Sequence, residues 1–290
     1  MAGTVIDERM KGTPLTAAAL IGPASLMTIL GLVFPVLMLL RYSFDLYDPK
    51  LFMIETVSPD NYIKFFTDSY YLGVFFTTIG VAMLCTLVCL IMGFPLAYVL
   101  ARTQSRFKNV MIMLVVMPLF VGNAVRAAGW MTLFGSRGFL SVSLMDLGIT
   151  TAPTEIMFTT TAVVVGIIAV NLPFMVLTLQ SVIEGIDRSM EEAAFSLGAP
   201  PATMFRLVLW PLALPGIIAG TILTFILGMN AYATPVLLGG PEFKMMAPLV
   251  FGQFQLNNWP FGAAVAFILM TTTLSLTAFS AFWMQKRYGR

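Results

Sequence analysis

The chain has 290 residues, of which 58% are hydrophobic and 10% charged, with a mean hydropathy of +0.89 and a formal net charge of +2. A soluble domain carries about 25% charged residues and keeps a polar shell, so this composition excludes a water-soluble enzyme, a nucleic-acid binder and a disordered chain. Histidine is absent, which removes imidazole acid/base catalysis and imidazole metal ligation.

A membrane-spanning helix needs about 20 apolar residues to cross about 30 Å of hydrocarbon. Charge-free runs cover 12–40, 69–101, 156–183 and 207–241, and 109–134 carries only Arg126. The last run, 245–285, is too long for one span. It begins with Gln253, Gln255, Asn257 and Asn258, then Trp259 and Pro260, which places its helix at 261–284. The expectation is an all-α polytopic membrane protein. Its six transmembrane helices are placed at about 15–40, 70–101, 109–134, 156–181, 211–232 and 261–284. The first run is roughly twice the 7–15 residues of a signal-peptide core and is followed by Arg41 and Tyr42, so a retained span is expected. Cys85 and Cys89 sit four apart within the second span and read as packing residues, not as a disulfide or metal site.

Basic residues set the expected orientation. With the segment 1–11 in the cytoplasm, Arg9, Lys11, Arg102, Arg106, Lys108, Arg188, Arg206, Lys286, Arg287 and Arg290 share that side. Arg41, Lys50, Lys64, Arg137 and Lys244 fall on the other. Acids run the opposite way, so both termini, including the tail 286–290, are expected to be cytoplasmic. The outer loop 41–68 is long and acidic, with Asp45, Asp48, Glu55, Asp60 and Asp68. No phosphate-binding glycine loop and no catalytic dyad occurs anywhere in the chain.

The most polar interior segment is the cytoplasmic loop 184–208. Its first part predicts a short helix with Ser189 as N-cap and Glu192 three residues on, the spacing of a capping box. Ala193, Ala194 and Leu197 give it a small apolar face. Gly198 is placed to end it in the left-handed conformation, and Pro200 and Pro201 to start a second helix. A helix of about nine residues is marginal alone in water, so a docking surface is expected.

Glu192-Ala193-Ala194, Gly198, and then Val208, Trp210 and Pro211 resemble the EAA loop of ABC-transporter permeases, with Trp210 at the position of the family's leucine. The resemblance runs over roughly 15–285 and is nearest to the first permease subunit of spermidine/putrescine-type importers. Further matching stretches are Pro118 to Trp130, Asn171 to Met175, Ala231 to Pro235, Leu237 to Pro241 and Asn258 to Ala264. It implies the type I ABC importer permease fold, a homologous second permease, two ATP-binding cassette subunits and a periplasmic or extracellular substrate-binding protein. It implies no cofactor in this chain, ATP and Mg being bound by the partner ATPase. The coupling residues carried over are Ser189, Glu191, Glu192, Ala193, Ala194, Leu197 and Gly198, with both glutamates expected to pair with basic residues of the ATPase.

Polar residues inside spans are the candidates for the substrate pathway. Arg126 is the sharpest, since an unpaired charge at that depth costs about 2.5–3.5 kcal/mol. It reads either as a cavity-facing group or as a structural arginine. Asn123, Asn171, Gln180 and Asn230 read as partners of substrate or of neighbouring helices. Trp130 and Tyr232 read as cation–π surfaces or as interfacial anchors. No Asp or Glu lies well inside a span, which counts against a polycation site in this chain alone. An opine, an amino-acid derivative or an anion therefore stands beside polyamines as cargo. A secondary transporter would want intramembrane acids and inverted repeats, and an intramembrane enzyme a Ser, Asp or His constellation; neither is evident.

Overall fold

A computed structural model describes residues 14–150, 152–153 and 156–288. The segment 1–11 and the last two residues of the tail 286–290 lie outside the described residues. The described chain is helical apart from one isolated bridge between Leu46 and Ile54. Five helices are long and apolar enough to cross a membrane, and a bent pair makes a sixth if counted as one span.

The chain opens with α1 (Pro14–Thr28), which passes through a π-helical turn, Ile29–Val33, into α2 (Phe34–Tyr42). No residue of the span Ile21–Tyr42 is fully buried within the chain, although α2 packs against the last helix. The acidic loop that follows is tied down by its polar groups. Asp45, 1% exposed, pairs with Arg41 and accepts the Thr56 N–H at 3.0 Å. Asn61 donates to the carbonyls of Ser43 and Asp45. It opens the short helix α3 (Asp60–Thr67) onto the next span.

The core is a trio of helices: α4 (Ser69–Arg102), α8 (Thr160–Glu184) and α11 (Trp210–Met229). Asp68 caps α4 by accepting the Tyr70 N–H, and Thr159 caps α8 by accepting the Ala162 N–H. Lipid-facing apolar surface gives helices no reason to associate, so small residues let them approach closely. Gly216 of α11 lies against Val182, Gly220 against Met175, and Gly228 against Ala82. Threonines within the spans return their hydroxyls to carbonyls one turn back, as Thr78, Thr178, Thr224 and Thr273 do, because no water is there to receive them.

Two expectations are corrected. The segment 109–134 is not one helix. α5 (Lys108–Val116) tightens into a 3₁₀ turn at Met117–Phe120, α6 (Asn123–Phe134) follows the break, and the segment Asn123–Asp146 runs at 97° to Lys108–Phe120. Pro118 lacks an N–H, and Val121 and Gly122 take extended backbone, so the helical ladder cannot cross the break. The second helix of the loop 184–208 is also not separate. α10 (Pro201–Met204) continues through a π-helical turn, Phe205–Leu209, into α11, so the fifth span begins at Pro201 instead of 211. The remaining long helix, α14 (Trp259–Tyr288), follows four short ones: α7 (Phe139–Asp146), α9 (Arg188–Ser196), α12 (Ala233–Leu238) and α13 (Met246–Gln255).

Candidate functional site

The helix α9 hangs between the ends of α8 and α11. Its N-cap is Asp187, whose carboxylate accepts the Ser189 N–H at 2.9 Å; Ser189 lies inside the first turn and is not the cap. Aspartate two positions earlier meets the exposed N–H groups with a full negative charge, which a serine cannot match. That hydrogen bond holds the Asp187 carboxyl below its ordinary value. At the other end Gly198 sits at φ +79°. Its N–H reaches the Phe195 carbonyl at 2.9 Å, and the Ala199 N–H reaches Ala194 at 3.0 Å. This paired closure is a Schellman motif, and glycine takes its left-handed backbone without strain.

The two glutamates of α9 have opposite surroundings. Glu191 is 7% exposed. Its Oε1 accepts from Arg102 Nε at 2.8 Å, and its Oε2 accepts from the Tyr98 hydroxyl at 2.8 Å. The expectation that Glu191 pairs with an external base is therefore corrected: burial demands partners, and this chain supplies them. Glu192, Ala193, Leu197 and Gly198 stand exposed, Leu197 at 89%, while Ala194 is half-buried against the core. Tyr98 and Arg102 were invisible as site residues in the sequence. They lie about ninety positions from Glu191, and only Arg102's place at a helix end hinted at them.

The candidate pathway residues do not form one cluster. Arg126 turns its guanidinium back onto the break between α5 and α6. It donates to the carbonyls of Pro118 and Val121, with Asn123 Oδ1 at 3.4 Å. These carbonyls lie at the end of an interrupted helix, where Pro118 also accepts the Val121 N–H at 3.3 Å, so the charge is met by dipoles of its own chain. Beside it a cavity of about 470 Å³ is lined by Leu114, Met117, Val125, Trp130 and Ala169. Trp130 stacks on Phe134 at 5.0 Å. Asn171 is buried and donates across to the Thr224 carbonyl, joining α8 to α11. Asn230 ends α11 and donates back to Ile226. Tyr232 packs on Phe251 at 4.8 Å. Gln180 bonds Glu184, which pairs with Lys108.

The Leu-Gly-Gly-Pro stretch is a tight crossing. Gly240 has φ +70°, and a Cβ there would meet the Phe158 ring at 2.8 Å, while the Phe158 N–H bonds the Leu238 carbonyl. Among the described residues no cluster of three or more Cys, Asp or Glu side chains is arranged to hold a metal ion.

Residues 62–290 match the family described as "Binding-protein-dependent transport system inner membrane component". The chain is 32% identical over 263 residues to the spermidine/putrescine transport system permease protein PotB of Haemophilus influenzae, covering 90% of this chain and 91% of that one. It is 32% identical over 260 residues to PotB of Escherichia coli, covering 89% and 94%. The fold matches a permease in the crystal structure of a bacterial alginate ABC transporter in complex with an alginate-bound periplasmic protein. That match has a TM-score of 0.75 at 16% identity, covering 93% of this chain and 94% of the other. The family model spans most of the chain and the relatives align nearly end to end, so this is a multi-pass inner-membrane permease of the binding-protein-dependent ABC transporters, a transport subunit and not an enzyme.

Proposed function

We propose that this permease forms half of the translocation pathway of an ATP-driven polyamine importer, with spermidine and putrescine as its cargo class. The identity to PotB proteins over nine-tenths of the chain supports the cargo. The arrangement of α9 supports the mechanism. One face is fastened by Glu191 to α4, and the other offers Glu192, Ala193 and Leu197 to a partner.

In this reading the basic end of the bundle is cytoplasmic, as are both termini, and α9 seats in a groove of a cassette ATPase. A homologous second permease completes the pore, and two ATPase subunits bind ATP and Mg. Closure of the ATPases draws the α9 helices of the two permeases together and rocks the attached spans. The acidic loop around α3 receives the substrate-binding protein through complementary basic residues. The guanidinium donors of Arg126 are engaged by the carbonyls of the α5–α6 break, which gives this residue a structural role there. With no carboxylate deep in a span, selectivity rests with the binding protein and the second permease.

The test is uptake by the complete transporter in proteoliposomes, using labelled spermidine and putrescine with the cognate binding protein. ATP-dependent accumulation of either is expected. Transport of an opine, an amino-acid derivative or an anion with no amine uptake would overturn the cargo, and uptake by the isolated chain would overturn the mechanism.

A further inference from the structure

We infer that α4 is the lever that carries the movement of α9 to the opposite end of the molecule, with Tyr98, Arg102 and Glu191 as the positioning residues that join the two. The inference rests on the reading of α9 as the ATPase-docking element.

The junction is dense. Arg102, the last residue of α4, directs Nε and Nη2 at Glu191 Oε1, at 2.8 and 2.5 Å, and its Nη1 donates to the Ile186 carbonyl at 3.0 Å. Tyr98, one turn earlier, donates to the other carboxylate oxygen. Arg188 of α9 reaches back to the Arg102 carbonyl at 2.6 Å, meeting one of the free carbonyls at the end of α4. The two charged side chains are 12% and 9% exposed. Charge-assisted bonds in so dry a place are strong, and pulling the helices apart would leave buried ions unpaired.

The covalent route from α9 to α11 is softer. Toward α11 the chain passes through Gly198, which has nothing within 4 Å of its missing side chain, and then a π-helical turn. The side-chain lock is thus the stiffer link. Beyond it α4 runs as one continuous helix of 34 residues, about 50 Å at 1.5 Å per residue, with Pro95 inside it. Its far end is equally engaged. Thr78 Oγ1 accepts the Met246 N–H at 2.9 Å, holding the start of α13, and Tyr71 packs on Phe261 of α14 at 4.8 Å. A displacement at Arg102 therefore reaches α13 and α14 along one continuous helix, in which Pro95 is the residue whose missing N–H interrupts the hydrogen-bond ladder.

The experiment uses the complete transporter in proteoliposomes. It reads ATPase co-purification, binding-protein-stimulated ATP hydrolysis and uptake of labelled spermidine. Arg102→Cys with Glu191→Cys removes the lock, and a short bifunctional maleimide replaces it by a tether; Cys85 and Cys89 are fully buried and do not compete. Before tethering, co-purification is expected to persist while stimulated hydrolysis and uptake fall about tenfold; after tethering both return to within about threefold of the parent. Full stimulation before tethering, no recovery after it, or loss of co-purification would overturn the lever. Tyr98→Phe, which removes one hydroxyl, decides the matter if the double variant fails to assemble. A drop of about threefold in stimulation at unchanged co-purification is expected, and no change overturns the inference. Glu192→Lys separates the two readings: if that variant still binds the ATPase, docking at α9 fails. Failure of the tether with Glu192 behaving as expected refutes the lever alone.

Discussion

Glu191 and Glu192 are neighbours in the chain, about 100° apart around α9, yet the first is buried against Tyr98 and Arg102 and the second is exposed. Glu191→Ala leaves Arg102 buried without its counter-ion and is expected to cost about 3–5 kcal/mol. Glu192→Ala is expected to stay within about 0.5 kcal/mol of the parent. Thermal unfolding of the detergent-purified subunit separates the two, and equal losses would contradict the geometry.

Glu192→Lys places a cation on the face that the proposed docking gives to the ATPase. Membrane insertion is expected to be unchanged while ATPase co-purification and uptake are lost. Pull-down with the tagged ATPase is the measurement, and normal uptake by this variant would remove the docking role from α9.

Gly216 and Gly220 lie one turn apart on α11 yet differ in what they touch. A Cβ at Gly216 would meet the branched Cβ of Val182 at 2.8 Å, while one at Gly220 would meet the movable sulfur of Met175 at 2.7 Å. Gly216→Ala is therefore expected to cost about 1–3 kcal/mol and Gly220→Ala distinctly less. Val182→Ala should recover much of the Gly216→Ala loss in the same unfolding assay.

Arg126→Gln takes charged donors from the carbonyls of Pro118 and Val121. A stability loss of ~1–3 kcal/mol is expected, with transport rate lowered and the apparent KM for spermidine unchanged. A KM shift of tenfold with stability intact would instead mark Arg126 as a cargo contact.

Asp187 carries the pH dependence of α9. Its carboxyl is held below the ordinary value of 3.8 by the Ser189 N–H, so its cap is fully present above that pH and is lost as pH falls through the lower folded-state value. The protection of first-turn amides of α9, relative to their intrinsic exchange at each pH, is expected to be flat near neutrality and to fall only under acid. Asp187→Ala should show the lowered protection at every pH.

The sequence by itself determined the class of this protein. Apolar runs of spanning length have no stable home but a bilayer, and one-sided basic loops and the Glu-Ala-Ala pattern are local signals. The stop at Gly198 was legible for the same reason, because a helix end is decided within a few residues. Only the tertiary structure decided what each polar group was for. Arg126 looked like a lone charge in a span until the bend at Pro118 turned carbonyls toward it. Glu191 and Glu192 are chemically identical in the sequence, and α4 assigns one of them inward through Arg102, 89 positions away. The continuity of α10 with α11 was equally hidden, since Pro200 and Pro201 mark a helix start but not how far the helix runs. Burial and pairing depend on which helices meet, and that depends on shape complementarity between surfaces far apart in the chain, which no local pattern records.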